Sequence, residues 1–192
     1  MSNMPESSLS NAQVSQQTER RLLTQMDLVF RWLGIAEQRH NWLVLLGVAA
    51  QAVLLSVITS TTDPNPRYGI GLAAAIILAG ILISVSSFFP GSRLTQRLSG
   101  AFGGTKDDDD LFFYGHLARY EPDALVRSIE ALYLEAPAES VVVNRVLHDL
   151  AEQVIQTAKL VEVKLRTFSI ALLVIAMGSV VALVSALIAL SD

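Results

Sequence analysis

Three long apolar runs limit what this chain can become. They are WLVLLGVAAQAVLLSVITS (Trp42 to Ser60), GIGLAAAIILAGILISVSSFF (Gly69 to Phe89) and FSIALLVIAMGSVVALVSALIAL (Phe168 to Leu190), and none contains a charge. A helix needs about 20 such residues to cross a hydrocarbon core about 30 Å thick. A soluble domain of 192 residues has too little surrounding chain to bury three of them, because small domains keep much of their surface in water. Membrane spans are therefore the expectation. The overall balance agrees, since 52% hydrophobic residues, 17% charged residues and a mean hydropathy of +0.45 are too apolar for an ordinary soluble domain.

Positive charge orients membrane spans. Arg20, Arg21, Arg31 and Arg39 precede the first run, and nine of the 14 basic residues lie between the second and third. The link TTDPNPRYG between the first two holds only Arg67, and no Lys or Arg follows the third. The expected topology puts the N-terminus and residues 90–167 in the cytoplasm and the C-terminus outside. The opening MSNMPESSLSNAQVSQQ has neither the basic start nor the apolar core of a signal peptide. Residues 1–16 read as a disordered tail, too polar to bury. Cysteine is absent, which excludes disulfides and thiolate chemistry. No segment is densely basic, so no nucleic-acid partner is expected.

The flanking segments read as helices. In 17–41, Leu22, Leu23, Met26, Phe30 and Leu33 recur at helical spacing and only Gly34 interrupts the path to Trp42. Within 90–167, PGSRLTQRLSGAFGGTKDDDD reads as connector. Asp109 or Asp110 is placed to cap a helix from about Leu111. Glu121-Pro122 ends that helix and Pro122 opens the next, where Leu125, Ile129 and Leu132 share a face before Pro137 stops it. From about Ser140, Leu150, Val154, Ala158, Val161 and Leu165 form an apolar stripe beside the polar line Asp149, Gln153, Thr157 and Lys164. Nothing interrupts this path until Gly178, and a helix from 140 to 190 would be roughly 75 Å long. The expected fold is an all-α membrane protein: transmembrane helices over 42–60, 69–89 and 168–190, helical cytoplasmic extensions of the first and last, and two short cytoplasmic helices packed on them.

No pattern points to catalysis. His40, His116 and His148 share no metal-binding spacing on one helix. The acid run DDDD lacks the alternation, glycine and closing Glu of a calcium loop, and reads as solvated linker. GAFGG, followed by acid, would repel phosphate. The chain is expected not to be an enzyme and to carry no resident cofactor. Inside the spans, Gly71, Ala75 and Ala79, and Gly178, Ala182 and Ala186, stand four apart, a spacing that lets helices approach closely within or between chains. Gln51 is the one strongly polar residue in a span, suited to an interhelical bond or to lining an aqueous path.

The order of features carries a resemblance. WLGIAEQRHNWLVLLG runs into the first span, LFFYGHLARY (Leu111 to Tyr120) follows the acid run, and HDLAEQVIQTAKLVEVKLRTF leads into the third span. From about Asp27 to Leu190 this resembles the transmembrane effector family of bacterial Pycsar anti-phage systems. The resemblance implies that a partner cyclase makes cyclic CMP or cyclic UMP on infection. The effector binds it on the cytoplasmic side of the inner membrane, then impairs that membrane and stops the infected cell. The cyclic pyrimidine nucleotide would be the activating ligand.

The residues are compatible with that chemistry. A cyclic nucleotide offers a flat base and one phosphate charge, so its site needs aromatic faces and a cation. Tyr114 and His116, with polar tips, are the candidate stacking residues, and Gly115 leaves room for a close approach. Phe112 and Phe113 suit a core equally well. Arg39, Lys159, Lys164 and Arg166 are the available cations. Three uncharged helices cannot enclose a pore alone, so the expected partners are the nucleotide, the lipid bilayer and further copies of the chain. A different class also fits: a constitutive membrane anchor whose cytoplasmic helices bind a protein through an exposed stripe on 140–167.

Overall fold

The computed structural model of the protein describes residues 11–60, 64–89, 110–133 and 144–191. These residues form five helices: α1 (Asn11–Ser60), α2 (Pro64–Ser86), α3 (Tyr114–Leu117), α4 (Pro122–Tyr133) and α5 (Arg145–Ser191). No strand occurs among the described residues. The chain is all-α, and α1, α2 and α5 are each long and apolar enough to cross a membrane. Two compact units divide it: residues 1–33 with 102–162, and residues 34–101 with 163–192.

The second unit holds the three apolar segments. His40 of α1 meets Ser84 of α2 and the backbone of Lys164 in α5, and Gly47 faces Ile81 and Ile175. α2 therefore runs antiparallel to α1, and α5 runs parallel to it. Backbones come close where glycines remove the side chain. A Cβ on Gly80 would stand 2.6 Å from Ile175 Cγ1, and one on Gly178 2.6 Å from Ile77 Cγ1. Small residues at such crossings permit the van der Waals packing that holds helices together in lipid. The two small-residue series thus differ in use. Gly178 serves contact within the chain, whereas Gly71 has no neighbour against it, and Ala75 and Ala79 are exposed. Gln51 Nε2 donates to the Ala74 carbonyl of α2, an interhelical bond. The helix of the second run begins at Pro64 and ends at Ser86, followed by a turn through Phe89.

The first unit is built from the early part of α1, the short helices and the early part of α5. α1 begins at Asn11, inside the segment read from composition as a tail. Its polar residues are held by tertiary contacts: Thr18 is fully buried, and Ser15 Oγ accepts from Asn144 Nδ2 at 3.4 Å. The buried face of α1 is Thr18, Leu22, Gln25 and Val29. Of the five apolar residues expected there only Leu22 is fully buried, and Leu23 and Phe30 are exposed. Two buried polar residues rotate the true face away from the hydrophobic pattern.

The short helices also depart from expectation. α3 starts at Tyr114, not Leu111, and its N-cap Phe113 makes no side-chain cap bond. Asp110 caps the preceding turn instead, its Oδ1 accepting from Phe112 N–H at 2.9 Å. Pro122 opens α4 as expected, where Leu125, Val126, Ile129 and Glu130 are buried and Leu132 is 54% exposed. Asn144 caps α5, its Oδ1 accepting from Leu147 N–H at 2.9 Å. Of the apolar stripe, Val154, Ala158 and Val161 are fully buried, joined by Leu147 and Ala151, while Leu150 and Leu165 are half-buried. Pro137, Ser140, Asp109 and the Pro90 connector lie outside the described residues.

Candidate functional site

The segment from Asp110 to Tyr120 is held from both ends. Asp110 ties the turn through Phe112, and its own N–H donates to His116 Nδ1 at 2.8 Å. Leu111, Leu117, Ala118 and Tyr120 are buried. This anchoring leaves several rings gathered on one short turn. Phe113 lies 4.5 Å from Tyr114 and 5.2 Å from His116, and Trp32 of α1 lies 5.5 Å from Tyr114 by ring centroids. Tyr114, His116 and Trp32 are half-buried and Phe113 is exposed, so the cluster has a solvent face.

Gly115 packs against a ring of its own segment. It is buried, and a Cβ there would stand 2.7 Å from Phe113 Cε1. The missing side chain makes room for the Phe113 ring. Trp32 opens the stretch WLGIAEQRHNWLVLLG that carries the family resemblance, but the sequence assigns it no binding role. It stands far from Tyr114 along the chain, and its apolar character fitted a membrane-proximal helix equally well.

A second group of rings includes Phe112 of the same segment. Phe112 meets Tyr133 edge-on at 5.9 Å, and the Arg21 guanidinium lies 5.2 Å over the Tyr133 ring. Burial raises the Tyr133 phenol above its usual range, the Asp110 charge adds to this, and Arg21 opposes it.

The predicted cations fall in different surroundings. Lys159 is half-buried on α5 in the unit that holds the ring cluster. Arg39 and Lys164 belong to the other unit. Arg39 is exposed. Lys164 Nζ donates to Glu37 Oε1 at 2.7 Å and lies 5.3 Å from the Phe88 ring, so its charge already has a carboxylate and an aromatic partner.

Ionisable groups also shape the first unit. Glu130 is fully buried; its Oε1 lies 3.1 Å from Thr18 Oγ1, and its Oε2 has no hydrogen-bond partner among the described residues. Burial raises its pKa and the Thr18 contact opposes the rise. His148 Nδ1 meets Asp123 Oδ1 at 2.7 Å, joining the start of α5 to the start of α4. That hydrogen bond raises the His148 pKa above its usual value. No group of three or more His, Cys, Asp or Glu placed to hold a metal occurs among the described residues.

A family model described as the Pycsar effector protein domain (PycTM) matches residues 21–191. The chain belongs to that family. No curated protein and no solved structure matches it. The matched region of this Pycsar effector includes all three apolar segments and both groups of rings. Membership supports a role as an effector in anti-phage defence. Together with the three apolar helices it makes the chain a membrane protein.

Proposed function

We propose that this Pycsar effector binds cyclic CMP or cyclic UMP on its cytoplasmic side and then impairs the bacterial inner membrane, halting the infected cell. The observation that carries the reading is the half-exposed cluster of Trp32, Phe113, Tyr114 and His116. Stacking on an aromatic face is worth about 1–3 kcal/mol per base. Tyr114 and His116 add polar atoms that a purely apolar core does not need.

Lys159 is the best-placed of the proposed cations for the phosphate. α1 and α5 stand together at Ser15 and Asn144. At 1.5 Å per residue, Trp32 lies about 26 Å further along α1 and Lys159 about 22 Å along α5. The two are level within about one helical turn. Arg39 and Lys164 remain candidates of the second rank, Lys164 because Glu37 already neutralises it.

The proposed topology keeps the N-terminus and 90–167 inside the cell and the C-terminus outside, following the basic residues. Trp42, Phe88 and Phe89 are exposed near one end of the apolar segments and Tyr68 near the other, as aromatic belts at two membrane surfaces would be. Several copies act together in this reading, because one three-helix unit cannot enclose a pore. The anchor reading is weakened, since Val154, Ala158 and Val161 of the stripe on α5 are buried and Leu150 and Leu165 are half-buried.

Calorimetry on detergent-purified protein tests the binding step. Wild type is expected to bind one of the two nucleotides, and Trp32→Ala to bind it about ten- to a hundredfold more weakly. No binding of either by folded wild type would overturn the proposal.

A further inference from the structure

One polar side chain joins all three apolar helices. His40 is fully buried. Its Nδ1 lies 2.9 Å from Ser84 Oγ on α2, and its Nε2 lies 2.9 Å from the Lys164 carbonyl on α5. A carbonyl only accepts, so Nε2 carries the hydrogen of that bond. The Phe88 and Phe168 rings stand edge-on to the imidazole at 6.0 and 5.7 Å. Glu37, one turn earlier on α1, holds the Lys164 ammonium. The junction therefore ties α1 to both partners at one end of the unit.

Elsewhere the seam of this unit is mainly apolar: Leu43, Ile70, Ala73, Ile77, Ile81 and Ala171. Apolar contacts between helices resist rearrangement weakly in lipid, because lipid tails are as apolar as the side chains they replace. Directional bonds to a buried imidazole do resist it, since helices that part in lipid strip the ring nitrogens of their partners. We propose that His40 is a restraint that holds the apolar helices in a membrane-sealing arrangement, and that loosening its bonds to Ser84 and Lys164 is the step that releases membrane damage. This inference rests on the membrane-impairing role proposed above and assigns that role its resting-state control.

The test uses the full chain reconstituted in vesicles of phosphatidylethanolamine and phosphatidylglycerol loaded with a self-quenched dye. Leakage is read without nucleotide. His40→Ala is expected to leak roughly eightfold faster than wild type, the factor that two interhelical hydrogen bonds of average strength in a membrane protein are worth. His40→Gln keeps a donor for the Lys164 carbonyl and an acceptor for Ser84, and should stay sealed. Ser84→Ala should leak at an intermediate rate. Folded His40→Ala that stays as tight as wild type would overturn the proposal. So would His40→Gln leaking as fast as His40→Ala, because the shape of the side chain and not its bonds would then matter. If His40→Ala does not fold, Ser84→Ala decides, and leakage equal to wild type rejects the restraint. Wild type that ignores both cyclic nucleotides contradicts the ligand reading, yet leaves these nucleotide-free comparisons intact.

Discussion

Thr18 has one hydroxyl hydrogen and two neighbours that compete for it. Its Oγ1 lies 3.0 Å from the Val14 carbonyl and 3.1 Å from Glu130 Oε1. The carbonyl only accepts, so when Thr18 serves it, the contact with Glu130 requires the proton to sit on the carboxyl group. The raised pKa caused by burial points the same way. The sign of the consequence follows from linkage. A carboxyl group titrates at about 4.3 in the unfolded chain, and below that value both states are protonated. As pH rises through the higher folded value, the buried charge must form and stability is lost. Urea unfolding of the detergent-purified protein should show this loss above about pH 4.3, and Glu130→Gln should remove that part of the pH dependence. Gly115 makes a second residue-scale prediction. Ala at this position pushes the exposed Phe113 ring aside and should disturb the ring cluster more than the fold, with weaker nucleotide binding by calorimetry and little change in urea unfolding. Sequence showed the aromatic cluster and its glycine. The use of the glycine was hidden, because only the fold tells whether an empty space faces a ligand or a neighbouring ring.

At the scale of elements, the long helices were readable because nothing breaks them. α1 and α5 carry no Pro, and each runs unbroken through its apolar segment. Their buried faces were less readable. Thr18 and Gln25 are buried where hydrophobic periodicity marks a solvent side, and Leu23 and Phe30 are exposed where it marks a core. The pairing of α4 with α5 depends on His148 and Asp123, far apart in sequence and 2.7 Å apart in space. The hydrogen bond that His148 donates to Asp123 raises the His148 pKa, with desolvation opposing it and the charges of Asp123, Glu152 and Asp149 assisting. Stability from this pair is full below about pH 6.5, the unfolded value, and is lost as pH rises through the folded value. Limited proteolysis at pH 6 and pH 8 checks it: α4 should be cut faster at pH 8 in wild type, and the difference should shrink in Asp123→Asn. This loss begins at a higher pH than that of Glu130, because the unfolded imidazole titrates at about 6.5 and the unfolded carboxyl at about 4.3.

At the scale of the whole molecule, the exposed apolar side chains need a covering. Leu45, Leu46, Val53, Leu72, Leu82, Leu173, Val180 and Leu183 all face outward from the apolar helices, an arrangement that water would penalise by about 25 cal/mol per Å² of apolar surface and that lipid accepts. The spans were readable because the bilayer fixes length and polarity together. The ring cluster proposed to take the ligand was readable only in part. Tyr114 and His116 stand in the ring cluster with Trp32, but charge alone could not rank Arg39, Lys159 and Lys164. The partner of Lys164 at Glu37 and the unit to which each cation belongs follow from the fold. The most direct test of the proposed role is membrane potential in bacteria that produce this chain, recorded as cyclic CMP or cyclic UMP is supplied. Rapid depolarisation with one of the two, abolished by Tyr114→Ala in protein that still inserts, is the predicted result. An unchanged potential with both nucleotides, in cells whose membranes contain the folded wild-type chain, would contradict it.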